Sequence, residues 1–126
     1  MKLNLSENAG QAMTGYGPGY LVAGGQRYEH ALLVSHDAPP RRWPLAGINE
    51  LRAELLAPLL TGEVPEIVLI GTGKAQLFPD PAVLQPLIEA RVGIEIMNTA
   101  AACRTFNVLL SEGRRVAAAL CCPEPE

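Results

Sequence analysis

Several features that mark whole classes of protein are missing from this sequence of 126 residues. The longest uncharged apolar run, residues 116–123, is far shorter than the roughly 20 residues that a membrane-spanning helix needs. With 10 basic and 13 acidic residues, the chain lacks the basic footprint that supplies most nucleic-acid affinity. Residues 1–7 contain no apolar segment typical of a signal peptide. We therefore expect no nucleic-acid partner, no membrane insertion and a cytoplasmic location.

Cysteine and histidine are also scarce. The chain has 3 cysteines and 2 histidines, and Cys121 and Cys122 are adjacent. No Cys-x-x-Cys pair is present, so neither a disulfide framework nor a cysteine-based zinc site is indicated. We expect reduced thiols, and we predict neither a metal nor a cofactor.

What the chain does contain is typical of one globular domain. The composition, 48% hydrophobic and 18% charged, is too apolar for disorder. A chain of this length buries roughly two-thirds of its unfolded surface, which is enough for one core. We predict a single α/β domain over residues 1–126.

The second half alternates between strand and helix signals. Asp80 and Pro81 are typical of a helix start, and Pro86 should bend or shorten that helix. Thr99 is a candidate N-cap of the next helix, and Gly113 stands where a C-terminal glycine belongs. The strands are predicted over residues 66–70, 93–97 and 115–121. This order predicts parallel strands joined by a right-handed crossover.

The first half is predicted to be mostly extended. Leu3 and Leu5 alternate with polar residues, and residues 15–19 form a glycine-rich turn cluster. Strands over residues 20–22 and 28–35 should be joined by a hairpin at Gly24 and Gly25. Residues 123–126 are expected to fray.

One amphipathic helix is predicted between the two halves. It begins at Asn49 as N-cap and ends near Pro58 and Gly62. Its apolar stripe consists of Ile48, Leu51, Leu55 and Leu59.

Several short motifs together resemble a known family of proteins. The family has no assigned function, is widespread in bacteria and archaea, and has mitochondrial members that act as an assembly factor of respiratory complex I (NADH:ubiquinone oxidoreductase). Most of the specificity lies in the last sixty or so residues. The matching stretches are Tyr16-Gly17-Pro18-Gly19, Gly25 with Tyr28, Trp43, Ile70-Gly71-Thr72-Gly73, residues 102–109 (ACRTFNVL) and Glu112-Gly113-Arg114.

The resemblance implies a three-layer α/β fold around a mixed sheet, with an added antiparallel portion from the N-terminal half. It implies a role in protein assembly. It implies no enzymatic activity, because no reaction is established for the family. Asn98 departs from the family, whose members often carry Asp there, so any role of an acid at this position is weakened here.

The loop Gly71-Thr72-Gly73 is the first candidate site. It follows a buried strand, but it is too short for a phosphate-binding P-loop, and Gln76 breaks the dinucleotide-binding pattern G-x-G-x-x-G. A tight strand exit is the favoured interpretation, and contact with an anion is the alternative. Because ligands bind beyond the carboxyl ends of parallel strands, this loop and the segment from Thr99 to Asn107 should line one crevice.

The helix after Thr99 supplies the other candidate residues. Cys103 lies in its first turns, where a thiol can have a lowered pKa, but no histidine stands in a nucleophile pattern with it. We expect Cys103 to be packed and inert. Asn107 is expected to make a structural hydrogen bond, for instance to the Gly71 turn. Arg104 is expected to be solvated or to meet an anion or a partner carboxylate, and Val108 to be exposed.

Three functional hypotheses follow. The first is a non-enzymatic interaction or assembly protein with a protein partner. The second is a module that binds an anionic small molecule at the crevice of Gly71, Thr72, Gly73, Thr99, Cys103, Arg104 and Asn107. The third, least favoured, is a thiol enzyme that uses Cys103.

Overall fold

The computed structural model describes residues 11–125 and contains eight strands and two α-helices in that part of the chain. The strands are β1 (Met13–Gly17), β2 (Tyr20–Ala23), β3 (Gln26–Tyr28), β4 (Leu32–Ser35), β5 (Arg41–Arg42), β6 (Ile67–Gly71), β7 (Gly93–Met97) and β8 (Val116–Leu120). The α-helices are α1 (Gln85–Glu89) and α2 (Thr99–Ser111). Three 3₁₀ segments cover Ile48–Glu50, Ala53–Leu60 and Pro81–Leu84. The alternating segment at Leu3 and Leu5, predicted to be extended, lies outside the described residues.

Two sheets organise these elements. The larger has the order β5-β4-β8-β6-β7, in which β7, β6 and β8 are parallel and β4 runs antiparallel to β8 and β5. The smaller is the antiparallel sheet β1-β2-β3. The predicted mixed sheet and the added antiparallel portion are thus confirmed, as is the parallel pairing of the strands on either side of α1.

The larger sheet is covered on both faces, which gives the predicted three layers. Along β6, Val68 and Ile70 pack into one hydrophobic cluster with the 3₁₀ segments and α1. Leu69 points the other way, into a second cluster with α2 and the smaller sheet. The alternation explains why β6 reads as a continuous apolar run: a strand buried on both faces needs apolar side chains at every position.

The N-terminal hairpin confirms one prediction and corrects two. Gly24 and Gly25 form its two-residue turn with φ of 57° and 82°, values that glycine adopts without strain. The predicted turn cluster at residues 15–19 is too wide, because Gly15, Tyr16 and Gly17 belong to β1. The predicted strand over residues 28–35 is wrong as one element. It divides into β3 and β4, which lie in different sheets, so the chain bends between them.

The predicted amphipathic helix forms only short 3₁₀ segments. Gly47, not Asn49, is the N-cap of the first, and the chain becomes extended at Leu51. Pro58 lies inside the second segment, where its ring and missing N–H disfavour continuous α-helix. The apolar stripe is nevertheless used, since Leu51 and Leu59 are both buried.

Proline also limits α1, as predicted. Asp80 Oδ1 accepts a hydrogen bond from the Ala82 N–H at 3.0 Å, and Pro81 opens the 3₁₀ turn that follows. Pro86 lies in the first turn of α1, which is only 5 residues long.

Helix α2 begins one residue earlier than predicted. Asn98, not Thr99, is its N-cap, and Asn98 Oδ1 accepts from the Ala101 N–H at 2.8 Å. At the other end, Gly113 has φ of 76°, and the N–H groups of Gly113 and Arg114 donate to the carbonyls of Leu110 and Leu109. These two bonds form the Schellman motif that the glycine predicts.

The C-terminal residues pack against the hairpin instead of fraying. The Gly19 N–H donates to the Pro123 carbonyl at 2.8 Å. Pro125 also lies close to Gly19. The expectation of a frayed tail is therefore wrong for Pro123 and Pro125.

Thr99 is fully buried and, contrary to the prediction, does not cap α2. It makes hydrogen bonds to two other segments instead. Its hydroxyl accepts from the Gly73 N–H at 2.8 Å and donates to the Cys121 carbonyl at 2.8 Å. The Thr99 N–H in turn donates to the Gly73 carbonyl at 2.9 Å. One threonine thus joins the loop after β6, the start of α2 and the end of β8.

Between residues 11 and 125, no helix has both the length and the apolar character required to cross a membrane.

We predict that Thr99→Val lowers the free energy of unfolding by about 2–6 kcal/mol, because the Gly73 N–H and the Cys121 carbonyl are both left unpaired and each such buried group costs about 1–3 kcal/mol. Urea denaturation followed by circular dichroism measures the change. Thr61→Val is the matched control, since the Thr61 hydroxyl donates to the Pro58 carbonyl at an exposed position. Equal midpoints for the two variants would contradict the structural role of Thr99.

Candidate functional site

The loop after β6 is a tight strand exit. A Cβ atom on Gly71 would lie 3.0 Å from Leu120 Cδ2 and from Thr99 Cα, so only glycine fits without a shift. The Thr72 N–H donates to the Met97 carbonyl at 2.9 Å, and the Gly73 N–H donates to Thr99 Oγ1. Since both amides are engaged within the protein, they do not form an anion cradle.

A crevice of about 320 Å³ lies beyond this loop, at the carboxyl ends of β6 and β7. Four segments distant in sequence form its walls: the β1–β2 turn, the loop after β6, the start of α2 and the C-terminal residues. Lys74 and Glu124 contribute one charge of each sign. The lining residues are Tyr16, Gly17, Pro18, Gly73, Lys74, Asn98, Ala100, Pro123, Glu124 and Pro125.

Only some of the residues that the sequence suggested for this site lie at the crevice. Gly73 lines the crevice. Arg104 lies beside it, where its Nη1 donates to the Tyr16 hydroxyl at 2.8 Å. The other proposed residues do not line the crevice, and four of them are buried: Gly71, Thr72, Thr99 and Cys103. A crevice does form at the expected end of the sheet, but mostly from other side chains.

Asn107 has a structural role. The Met13 N–H donates to Asn107 Oδ1 at 2.8 Å, and Asn107 Nδ2 donates to the Met13 carbonyl at 2.6 Å. Strand β1 lies at the edge of the smaller sheet, so the backbone of Met13 has no strand partner on the side away from β2. The amide side chain of Asn107 takes that place and so fixes β1 to α2. The prediction that Asn107 hydrogen-bonds to the Gly71 turn is wrong. Thr99 is the residue that hydrogen-bonds to this loop.

Cys103 has the properties of a core residue. Its side chain is 1% exposed, and burial raises the pKa of the thiol to about 12, against a smaller lowering by the Arg104 charge. A nucleophilic cysteine needs a lowered pKa and a base. The two histidines hydrogen-bond elsewhere, His30 to the Ala31 carbonyl and His36 to Glu63. Nothing in residues 11–125 therefore supports the thiol-enzyme hypothesis.

The crevice residues that sequence reasoning missed come from Tyr16-Gly17-Pro18 and from the C-terminal residues. Tyr16, Gly17 and Pro18 belong to the predicted turn cluster and to a stretch that resembles the family, and neither pattern indicates a binding or catalytic role. Only the packing of the hairpin against the start of α2 places them at the site.

The chain belongs to a family described as protein of unknown function (DUF498/DUF598), whose model matches residues 13–121. An uncharacterized protein of Rhodobacter capsulatus is 42% identical over 107 residues, which cover 84% of this chain and 80% of that protein. A crystal structure of a protein from Bordetella parapertussis has 38% identity and a TM-score of 0.82, and covers 87% of this chain and 93% of that one. Both the family and the fold expected from the sequence are thereby confirmed.

The resemblance to the assembly factor is confirmed as well. NADH dehydrogenase (ubiquinone) 1 alpha subcomplex assembly factor 3 of Xenopus tropicalis is 35% identical over 85 residues, or 66% of this chain. The match covers 46% of that assembly factor, so the chain spans about half of its length.

We predict that Cys103 and Cys121 resist alkylation by iodoacetamide at pH 8 in the folded protein. Burial raises the pKa of each thiol to about 12, so the reactive thiolate is almost absent. Cys122 is only partly buried and should react first. Peptide mapping by mass spectrometry measures the modification, with a urea-unfolded sample as the control in which all three react. Modification of folded Cys103 as fast as Cys122 would contradict its burial.

Proposed function

We propose that this chain is a non-enzymatic interaction protein that binds a protein partner through an exposed surface formed by α2 and the end of β1, as an assembly factor does. The surface, which we call the α2 face, consists of Tyr16, Arg104 and Val108. Support comes from the relatives that are named as assembly factors and from the exposed side chains of this face. A cytoplasmic location is part of the same proposal.

The α2 face is the observation that carries the proposal. Val108 is 54% exposed and Tyr16 is 37% exposed, so both side chains are available to a partner. Arg104 lies one helical turn before Val108 and hydrogen-bonds to the Tyr16 hydroxyl, so the three side chains form a continuous surface. Tyrosine and arginine are enriched among the residues that contribute most of the binding energy at protein interfaces.

The crevice adds depth to this surface. Tyr16 belongs to both, so the crevice opens directly beside the α2 face. Anchoring side chains of a partner commonly occupy such a pocket at the centre of an interface. The buried polar groups beneath it, Thr99 among them, are satisfied within the protein, which leaves exposed side chains as the means of recognition.

We predict that Arg104→Glu combined with Val108→Asp abolishes capture of the partner from native lysate, with retained proteins identified by mass spectrometry. Binding of the purified partner should weaken at least tenfold in calorimetry, because loss of a dominant interface residue costs about 2 kcal/mol or more.

The matched control is Ile88→Asp combined with Arg52→Glu. It makes the same kinds of change at exposed positions outside the α2 face, where Ile88 is 50% exposed. Both variants must show the circular dichroism of the folded protein. Equal loss of binding in the control, or full binding by the α2-face variant, would contradict the proposed surface.

An anionic small molecule in the crevice is the second candidate. Lys74 lines the crevice together with Ala100 in the first turn of α2, where the helix dipole favours negative charge. The effect of the dipole is worth only about 0.3–1 kcal/mol at an exposed site, so Lys74 has to supply most of the attraction.

We therefore predict that a carboxylate or phosphate metabolite binds in the crevice and, in NMR titrations, shifts the amide resonances of Gly73, Lys74, Asn98 and Ala100. The Lys74→Ala variant should bind the same metabolite more weakly. Arg52→Ala is the control, since Arg52 is an exposed cation that does not line the crevice. A flat response across a broad metabolite set would remove this candidate and leave the protein–protein proposal intact.

A further inference from the structure

A second group of polar side chains lies at the opposite end of the larger sheet. His36 and Asp37 follow β4, and Glu63 lies in the loop before β6. The His36 N–H donates to the Val116 carbonyl at 3.0 Å, which places the group beside the amino ends of β6 and β8. One donor atom from each of the three side chains lies within 4.8 Å of the other two.

The hydrogen bonds determine which imidazole nitrogen is free. His36 Nε2 lies 2.8 Å from Glu63 Oε1. An ionised carboxylate only accepts, so Nε2 carries the proton and Nδ1 of the neutral ring has the lone pair. Nδ1 is buried and has no hydrogen-bond partner among residues 11–125. Buried polar atoms in folded proteins are almost always paired, so this one needs an explanation.

The Asp37 carboxylate lies close to this unpaired nitrogen. Asp37 Oδ1 lies 3.9 Å from His36 Nδ1, so in the neutral ring two electron-pair donors lie close together. Zn²⁺ binds imidazole nitrogen at about 2.0–2.1 Å and carboxylate oxygen at about 2.0–2.2 Å. In a tetrahedral site two such ligand atoms lie roughly 3.4 Å apart, so the Asp37 carboxylate has to move by about 0.5 Å towards His36 to bind the same ion.

We propose that His36, Asp37 and Glu63 form a binding site for a divalent transition-metal ion such as Zn²⁺. His36 Nδ1 and the Asp37 carboxylate coordinate the ion. Glu63 accepts the Nε2 hydrogen and fixes the orientation and basicity of the ring, as carboxylates do behind metal-bound histidines. Water completes the coordination through the adjoining cavity of about 270 Å³.

The other polar groups of the cavity are compatible with a cation. Arg41 also lines it, but its Nη2 donates to the Pro58 carbonyl at 3.2 Å, and the two carboxylates outweigh its single charge. Ser35 Oγ donates to Asp37 Oδ1 at 3.1 Å and so holds that side chain. The imidazole ligand favours Zn²⁺ over Mg²⁺ or Ca²⁺, which prefer oxygen-only sites.

Calorimetric titration of the reduced protein with Zn²⁺ tests the site. We expect one equivalent to bind to the wild type and to His30→Gln, which alters the other histidine of the chain. His36→Gln should lose this binding, and Glu63→Gln should weaken it by about 10–100-fold, the usual effect of removing a supporting carboxylate. Bound Zn²⁺ should also raise the thermal midpoint of the wild type, because an ion that binds the folded chain and not the unfolded chain stabilises the fold.

A second measurement uses the wild-type protein and needs no substitution. In NMR spectra of the histidine side chains, one equivalent of Zn²⁺ should shift the Nδ1 resonance of His36 and leave His30 unchanged. Equal affinity of wild type and His36→Gln, or shifts of both histidines alike, would mean an adventitious ion only and would overturn the proposal. So would binding of Mg²⁺ as tight as that of Zn²⁺.

Discussion

The hydroxyl group of Thr99 holds the carboxyl end of the larger sheet together. It binds the Gly73 N–H and the Cys121 carbonyl, groups that lie 26 and 22 residues away along the chain. The contact requires the loop after β6 to approach α2 closely, and this is why Gly71 has no room for a side chain. The position of the crevice depends on this contact, because the same loop and the same helix start form two of its walls.

The sequence predicted the elements of the second half well, because each has a local cause. Strand β6 is apolar at every position, Asp80 and Pro81 begin a helical turn, and Gly113 ends α2. The first half was predicted less well, since its structure depends on contacts distant in sequence. The break between β3 and β4 is one example, because the two strands belong to different sheets. No local pattern of residues 28–35 contains that information.

The candidate site shows the same division. The general rule for parallel sheets placed a crevice beyond β6 and β7, and a crevice lies there. The rule does not say which side chains line it. Thr99 was a candidate because of its position near a helix start, yet it is buried and satisfies backbone groups. Cys103 is packed in the core, as expected. Tyr16 lines the crevice because Asn107 fixes β1 to α2, a contact that spans 94 residues.

The two ends of the larger sheet are expected to act independently. Strand β6 joins them, with the Glu63 loop before it and the Gly71 loop after it. Its 5 residues extend over about 16 Å at roughly 3.3 Å per residue. Perturbations separated by more than about 10 Å usually add without coupling when no partner is shared. Since β6 is buried between two packed layers, an ion near His36 would stabilise the fold while leaving the α2 face free to bind.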